Sequence, residues 1–89
     1  MISRTTKKFW KAYAKLDETT QKQAESAYHL FCENPQHPSL NFKKVHDKLP
    51  IFSARVNLNY RAVGIVEKNE IIWFWIGSHD DYEKLLSRF

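Results

Sequence analysis

The chain has 89 residues, 43% hydrophobic and 15% aromatic, with 14 Lys and Arg against 10 Asp and Glu, a net charge of +4. That length supports one hydrophobic core and excludes a second, so residues 1–89 read as a single domain, and the mixed charge signs exclude a disordered chain. One cysteine excludes an internal disulfide, and the longest apolar run, Ile71 to Ile76, is too short for a bilayer span.

A cytoplasmic protein with no membrane partner is therefore expected. Cys32, in the apolar stretch Tyr28-His29-Leu30-Phe31-Cys32, is expected to be a buried thiol.

Thr5 or Thr6 can cap a first helix, in which Phe9, Ala12, Tyr13 and Leu16 recur at helical spacing and Lys7, Lys8, Lys11 and Lys15 take the other side. Asp17 caps a second, with Ala24, Ala27, Tyr28 and Phe31 on one stripe. Asn34-Pro35 ends it, because the residue before a proline disfavours helix. The short connection predicts an antiparallel helical hairpin.

Beyond Pro38 the period changes. Phe42 to His46 reads as a strand and Asp47-Lys48-Leu49-Pro50 as a turn. Ile51 to Leu58 alternates Phe52, Ala54, Val56 and Leu58 against Ser53, Arg55 and Asn57, the pattern of a half-buried strand. Tyr60 to Glu67 and Glu70 to Gly77 flank Lys68-Asn69 as a hairpin. Setting Glu67 opposite Glu70 places Trp73 opposite Gly64 and Trp75 opposite Ala62, large against small. The run Ile71 to Ile76 is apolar on both faces and predicts a covered central strand. Asp80 then caps a last helix, Asp81 to Arg88. The fold class expected is α+β: an N-terminal helical hairpin on a mainly antiparallel four-stranded sheet, with a short C-terminal helix and room for a very short strand at Ile2-Ser3-Arg4.

Charge is distributed unevenly. Residues 1–15 hold Arg4, Lys7, Lys8, Lys11 and Lys15 and no acid; residues 41–61 hold Lys43, Lys44, Lys48, Arg55 and Arg61 against Asp47 alone. Two such segments in a small domain can make one polyanion-binding face; the alternative is two ordinary solvated faces.

The order and spacing of Asn34-Pro35-Gln36-His37-Pro38-Ser39-Leu40, Ser53-Ala54-Arg55-Val56, Tyr60-Arg61-Ala62-Val63-Gly64 and Trp73-Phe74-Trp75-Ile76-Gly77-Ser78-His79-Asp80-Asp81-Tyr82 give a resemblance over essentially the whole chain. The chain resembles the RelE/ParE superfamily, the toxins of bacterial type II toxin–antitoxin pairs. The resemblance implies a cognate antitoxin as partner. It also implies one of two activities: mRNA cleavage in the ribosomal A site, or non-catalytic poisoning of DNA gyrase. A degenerate toxin that only binds its antitoxin is a further alternative.

Metal-free RNA cleavage needs a base for the 2′-hydroxyl, cations for the phosphorane and an acid for the leaving oxygen. Arg55 and Arg61 match the positions of RelE-like basic residues, and a guanidinium fork suits phosphate; each alone also reads as a surface cation. A three-residue loop at Asn57-Leu58-Asn59 would set Arg61 opposite Asn57 and bring both arginines to one face, whereas a two-residue loop would separate them. His79 matches the place after Ile-Gly where RelE-like chains carry a catalytic arginine or histidine, and imidazole serves as acid or base; a bond to Asp80 or Asp81 is the alternative. Tyr82 matches the family's late tyrosine, a base-stacking or proton-transfer residue, with core packing as its alternative. Lys43, Lys44, His46 and Lys48 are the candidate RNA contacts, although His46 also reads as a turn histidine. Two features depart from the ribosome-dependent pattern: Ser53 and Ala54 are neutral, and Asp80 and Asp81 would repel a phosphate. The four histidines lack metal-site spacing and neither glycine makes a phosphate-cradling loop, so no cofactor is expected.

Overall fold

The computed structural model describes all residues, 1–89, in the order β1 (Ile2–Thr5), α1 (Lys7–Ala14), α2 (Glu18–Glu33), a 3₁₀ turn (Pro38–Leu40), β2 (Lys43–Lys44), β3 (Ile51–Arg55), β4 (Tyr60–Glu67), β5 (Glu70–Ser78) and α3 (His79–Leu86). The strands form one sheet in the order β1-β5-β4-β3-β2. It has five strands rather than four and is mixed, because β1 runs parallel to β5 with Ser3 opposite Ile71. This places β5 inside the sheet, as its two apolar faces require.

Local chemistry sets the helix ends. Thr6 caps α1 by accepting from the Phe9 amide at 3.2 Å, and Asp17 caps α2 by accepting from the Thr20 amide at 2.9 Å. Hydrogen bonding to the Thr20 side chain, and then to its backbone, holds the Asp17 carboxyl below the usual aspartate range. Gln21 Nε2 donates to the Tyr13 carbonyl at 3.0 Å and ties the two helices into a hairpin. The last helix starts earlier than expected. Ser78, not Asp80, is its cap and accepts from the Asp81 amide at 3.2 Å, so His79 is the first helical residue.

The sheet separates two apolar layers. On one face Phe31 and Leu40 pack with Ala54, Ile71 and Trp73, and Phe9, Leu30 and Phe42 close the cluster. The Phe31 ring meets Phe42 at 5.0 Å and Trp73 at 5.4 Å, both edge to face, an arrangement that rings favour. On the other face Ile51, Val63 and Tyr82 are buried, with Phe74, Trp75, Leu85 and Leu86 against them.

Register decides which side chains share a face. Glu67 lies opposite Glu70 and Gly64 opposite Trp73, as expected. Trp75, however, lies opposite Val63, and Ala62 opposite Ile76, because a bulge at Val63/Gly64 leaves Phe74 without a partner. Phe74 and Trp75 thus both reach the α3 layer.

Three more expectations change. The strand from Phe42 to His46 contracts to Lys43–Lys44, since the chain turns at His46, whose Nδ1 accepts from the Lys48 and Leu49 amides at 3.1 and 2.9 Å. The strand from Ile51 ends at Arg55, and Leu58 is 79% exposed in the following loop. Cys32 is exposed rather than buried, being one residue beyond Phe31 and so rotated off the apolar stripe of α2.

Candidate functional site

Arg55 and Arg61 are cross-strand partners on β3 and β4. Directly opposed residues point to the same face of a sheet, so both side chains rise on the α3 side. The loop joining the strands is Val56–Asn59, four residues, so Arg61 faces Arg55 rather than Asn57. The row continues onto β5, where Gly77 lies opposite Arg61. Lys43 extends it at the other edge. It pairs with Ser53, which puts it on the same face, while Lys44 pairs with Phe52 and takes the opposite one.

The connecting loop fixes one arginine. Arg61 Nη1 donates to the carbonyls of Asn57 at 2.7 Å and Tyr60 at 2.9 Å. Burial, then the nearby positive charge of Arg55, lowers the Arg61 pKa, with Tyr82 opposing the shift. Two guanidinium groups held this close form a site that favours an anion between them. Arg55 Nε is itself buried without a protein partner.

His79 sits two residues past Gly77, at the first position of α3. Its amide donates to the Asn59 carbonyl at 2.7 Å, which binds the helix start to the loop that cradles Arg61. The imidazole is 46% exposed, with Nε2 at 3.6 Å from the Glu83 carboxylate one turn along and the ring centre 5.8 Å from that of Tyr82. Its acidic neighbour is thus Glu83, not Asp80 or Asp81.

Tyr82 is placed differently. It is 7% exposed and its hydroxyl donates to Ser53 Oγ at 3.2 Å, so the ring packs α3 onto β3. The neutral Ser53 that looked like a missing cation in the sequence is the buried partner of this tyrosine. His46 is spent on its turn and packs edge-on against Phe89 at 6.4 Å. It lies near the start of β3, at the far end of the sheet from the arginines. Lys48 is exposed in the same turn.

The two basic segments do not merge. Lys7, Lys8 and Lys11 are exposed on α1, in the hairpin layer, and the sheet separates them from the arginine row. A cavity of about 460 Å³ also lies on the hairpin side, between the helices and the sheet. Its walls are mainly apolar (Phe9, Trp10, Tyr13, Tyr28 and Trp73 among them), and of the four residues expected to be catalytic only Arg55 reaches it.

One residue of the arginine face went unnoticed in the sequence. A side chain on Gly77 would put its Cβ 2.6 Å from Cζ2 and 2.8 Å from Cη2 of Trp75, so the indole lies across the space that the glycine leaves open. Trp75 is half-buried. The Trp75-Ile76-Gly77 spacing hints at this large-over-small arrangement, but the bulge that orients Trp75 is invisible in the sequence.

The ParE-like toxin domain family profile matches residues 18–84. The chain belongs to this family, within the RelE/ParE toxins of toxin–antitoxin systems. Its fold is that of the solved toxins. The RelB–RelE antitoxin–toxin complex from Methanococcus jannaschii superposes with a TM-score of 0.74 at 16% identity, covering 92% of this chain and 96% of that one. YafQ from E. coli gives 0.72 at 9% identity, covering 90% and 94%. The YoeB/ParE toxin from Agrobacterium tumefaciens gives 0.68 at 15%, covering 89% and 99%. A search for curated relatives by sequence finds no match. No helix of the toxin is long and apolar enough to cross a membrane.

Proposed function

We propose that this toxin is an endoribonuclease that cuts mRNA on the ribosome, without a metal ion, and is neutralised by a cognate antitoxin. The observation that carries this reading is the Arg55–Arg61 pair, opposed across two strands on one face and followed by an exposed histidine at the end of the third. Arg61, braced by loop carbonyls, and Arg55 hold the scissile phosphate and offset the charge that grows on the phosphorane oxygens. His79 exchanges a proton with the attacking 2′-hydroxyl or the leaving 5′-oxygen, and the Glu83 carboxylate, 3.6 Å from its Nε2, orients the ring. Lys43 and Lys48 hold phosphates further along the strand. The shallow face supplies little positioning of its own, so the ribosome must hold the message against it.

A second reading has one observation in its favour. Tyr82 is buried against Ser53, which takes from the site the aromatic group that the resemblance had assigned to RNA. That arrangement suits a binding-only inhibitor of DNA gyrase. Mapping mRNA 5′ ends after induction separates the two. New ends within open reading frames support the nuclease; growth arrest with an unchanged set of ends assigns the gyrase reading instead.

A further inference from the structure

Tyr82 is enclosed, yet the arginine face does not lack a ring. Trp75 stands on the same face, half-buried, with its six-membered ring over Gly77, and Gly77 is the direct cross-strand partner of Arg61. The sheet therefore presents, side by side, a braced guanidinium and a flat indole in a fixed position. A single-stranded nucleotide offers a matching pair of groups, an anionic phosphate and a planar base one sugar apart. We infer that Trp75 is the stacking platform for one base of the RNA strand, adjacent to the phosphate held by Arg55 and Arg61. This rests on the RNA-binding reading of the same face.

Three features support the assignment. The bulge that leaves Phe74 unpaired turns Trp75 toward the arginine side, where regular pairing would have set it opposite Ala62, on the hairpin side of the sheet. Gly77 is required for the seat, since even a methyl group there would overlap the indole. The one exposed ring at this layer, Phe89, is engaged with His46 and Phe74. Stacking on an indole accepts any base, so the platform sets where the strand lies rather than which sequence is bound.

The test is a cycle between protein and RNA. Ribosomes are programmed with a message 2′-O-methylated through the A-site codon, so that it binds without being cut, and toxin affinity is measured with each base of that codon removed in turn. For the wild type, removal of one particular base is expected to weaken binding about tenfold, the usual loss for one stacked base. In Trp75→Leu the same removal has no further effect, whereas Trp75→Phe keeps most of the penalty. Gly77→Ala, which displaces the indole but retains it, behaves like Trp75→Leu. A base-removal penalty of equal size in wild type and Trp75→Leu overturns the platform while leaving RNA binding intact. Failure of the wild type to bind any programmed ribosome overturns the RNA reading and the platform together. Because the penalty is a ratio within each protein, partial loss of stability in a variant does not imitate it.

Discussion

Tyr82 on α3 donates its hydroxyl hydrogen to Ser53 Oγ on β3 at 3.2 Å, and both residues are buried. This bond joins the last helix to a strand 29 positions earlier and places a polar contact inside an apolar layer. Tyr82→Phe leaves Ser53 without its partner and should cost about 0.5–1.5 kcal/mol. Thermal melts should drop by several degrees, since about 1 kcal/mol moves a domain of this size by roughly 4–8 °C. Adding Ser53→Ala should recover part of the loss, because an apolar pair leaves no unmet hydrogen bond. If Tyr82 instead takes part in catalysis, Tyr82→Phe will reduce cleavage far more than it reduces the melting temperature.

Arg61→Ala should lower mRNA cleavage by about 10²–10³-fold, as removal of one transition-state charge does elsewhere. Arg61→Lys should recover only part of this, because an ammonium cannot brace on the Asn57 and Tyr60 carbonyls and hold phosphate at once. His79→Gln should abolish cleavage while the protein stays folded. Primer extension on a defined message in an in vitro translation reaction reads all three.

The salt dependence of ribosome binding measures the electrostatic footprint. If Lys43, Lys48, Arg55 and Arg61 supply the phosphate contacts, the slope of log K against log salt should be about −3, at roughly −0.7 per contact for single strands. Lys7→Ala, Lys8→Ala and Lys11→Ala together should leave that slope unchanged, because α1 lies across the sheet from the arginines. A slope that falls by two or more units in the triple variant would place α1 in the interface.

Lys68 adopts φ 56° in the β4–β5 turn, a conformation that costs a side-chain-bearing residue about 1–2 kcal/mol. Asparagine tolerates this region better. Lys68→Asn should therefore raise the melting temperature by a few degrees without changing activity, as measured by calorimetry and cleavage in parallel.

The lowered pKa of Asp17 fixes the sign of one acid effect. The carboxylate is favoured by folding, so its contribution is complete above the aspartate value of the unfolded chain and is lost as pH falls through the lower folded value. Melting profiles of the wild type should steepen below about pH 4. Asp17→Asn keeps a capping oxygen but does not titrate, and should flatten that limb of the profile.

The sequence displays some of this fold and hides the rest for definite reasons. Tyr60–Glu67 and most of its partner strand are legible, because period-two alternation and a two-residue turn are both local signals. The run at residues 2–5 leaves room for a very short strand at Ile2-Ser3-Arg4 but no sign of its partner, which is β5, about seventy residues away. Alternation also continues past Arg55 to Leu58, but the chain leaves the sheet there to wrap the Arg61 side chain. At the site, the sequence leaves the shared face of Arg55 and Arg61 dependent on the turn, and the four-residue loop, neither of the two lengths considered, sets them opposite each other. Enclosure of Tyr82 depends on how α3 crosses the sheet, and the seat of Trp75 depends on a bulge. Neither leaves a mark in residue order.

The pairing of β1 with β5 also dictates when the molecule can form. A nascent chain carrying Ile2–Thr5 has no strand to receive them until Glu70–Ser78 has been synthesised, and the same segment brings Gly77 and Trp75 to the arginines. The helical hairpin and the β3–β4 pair depend on nearby contacts and can assemble early; closure of the sheet must bridge nearly the whole length of the chain and so comes late. The toxin is thereby without a complete working face while most of it is still being made.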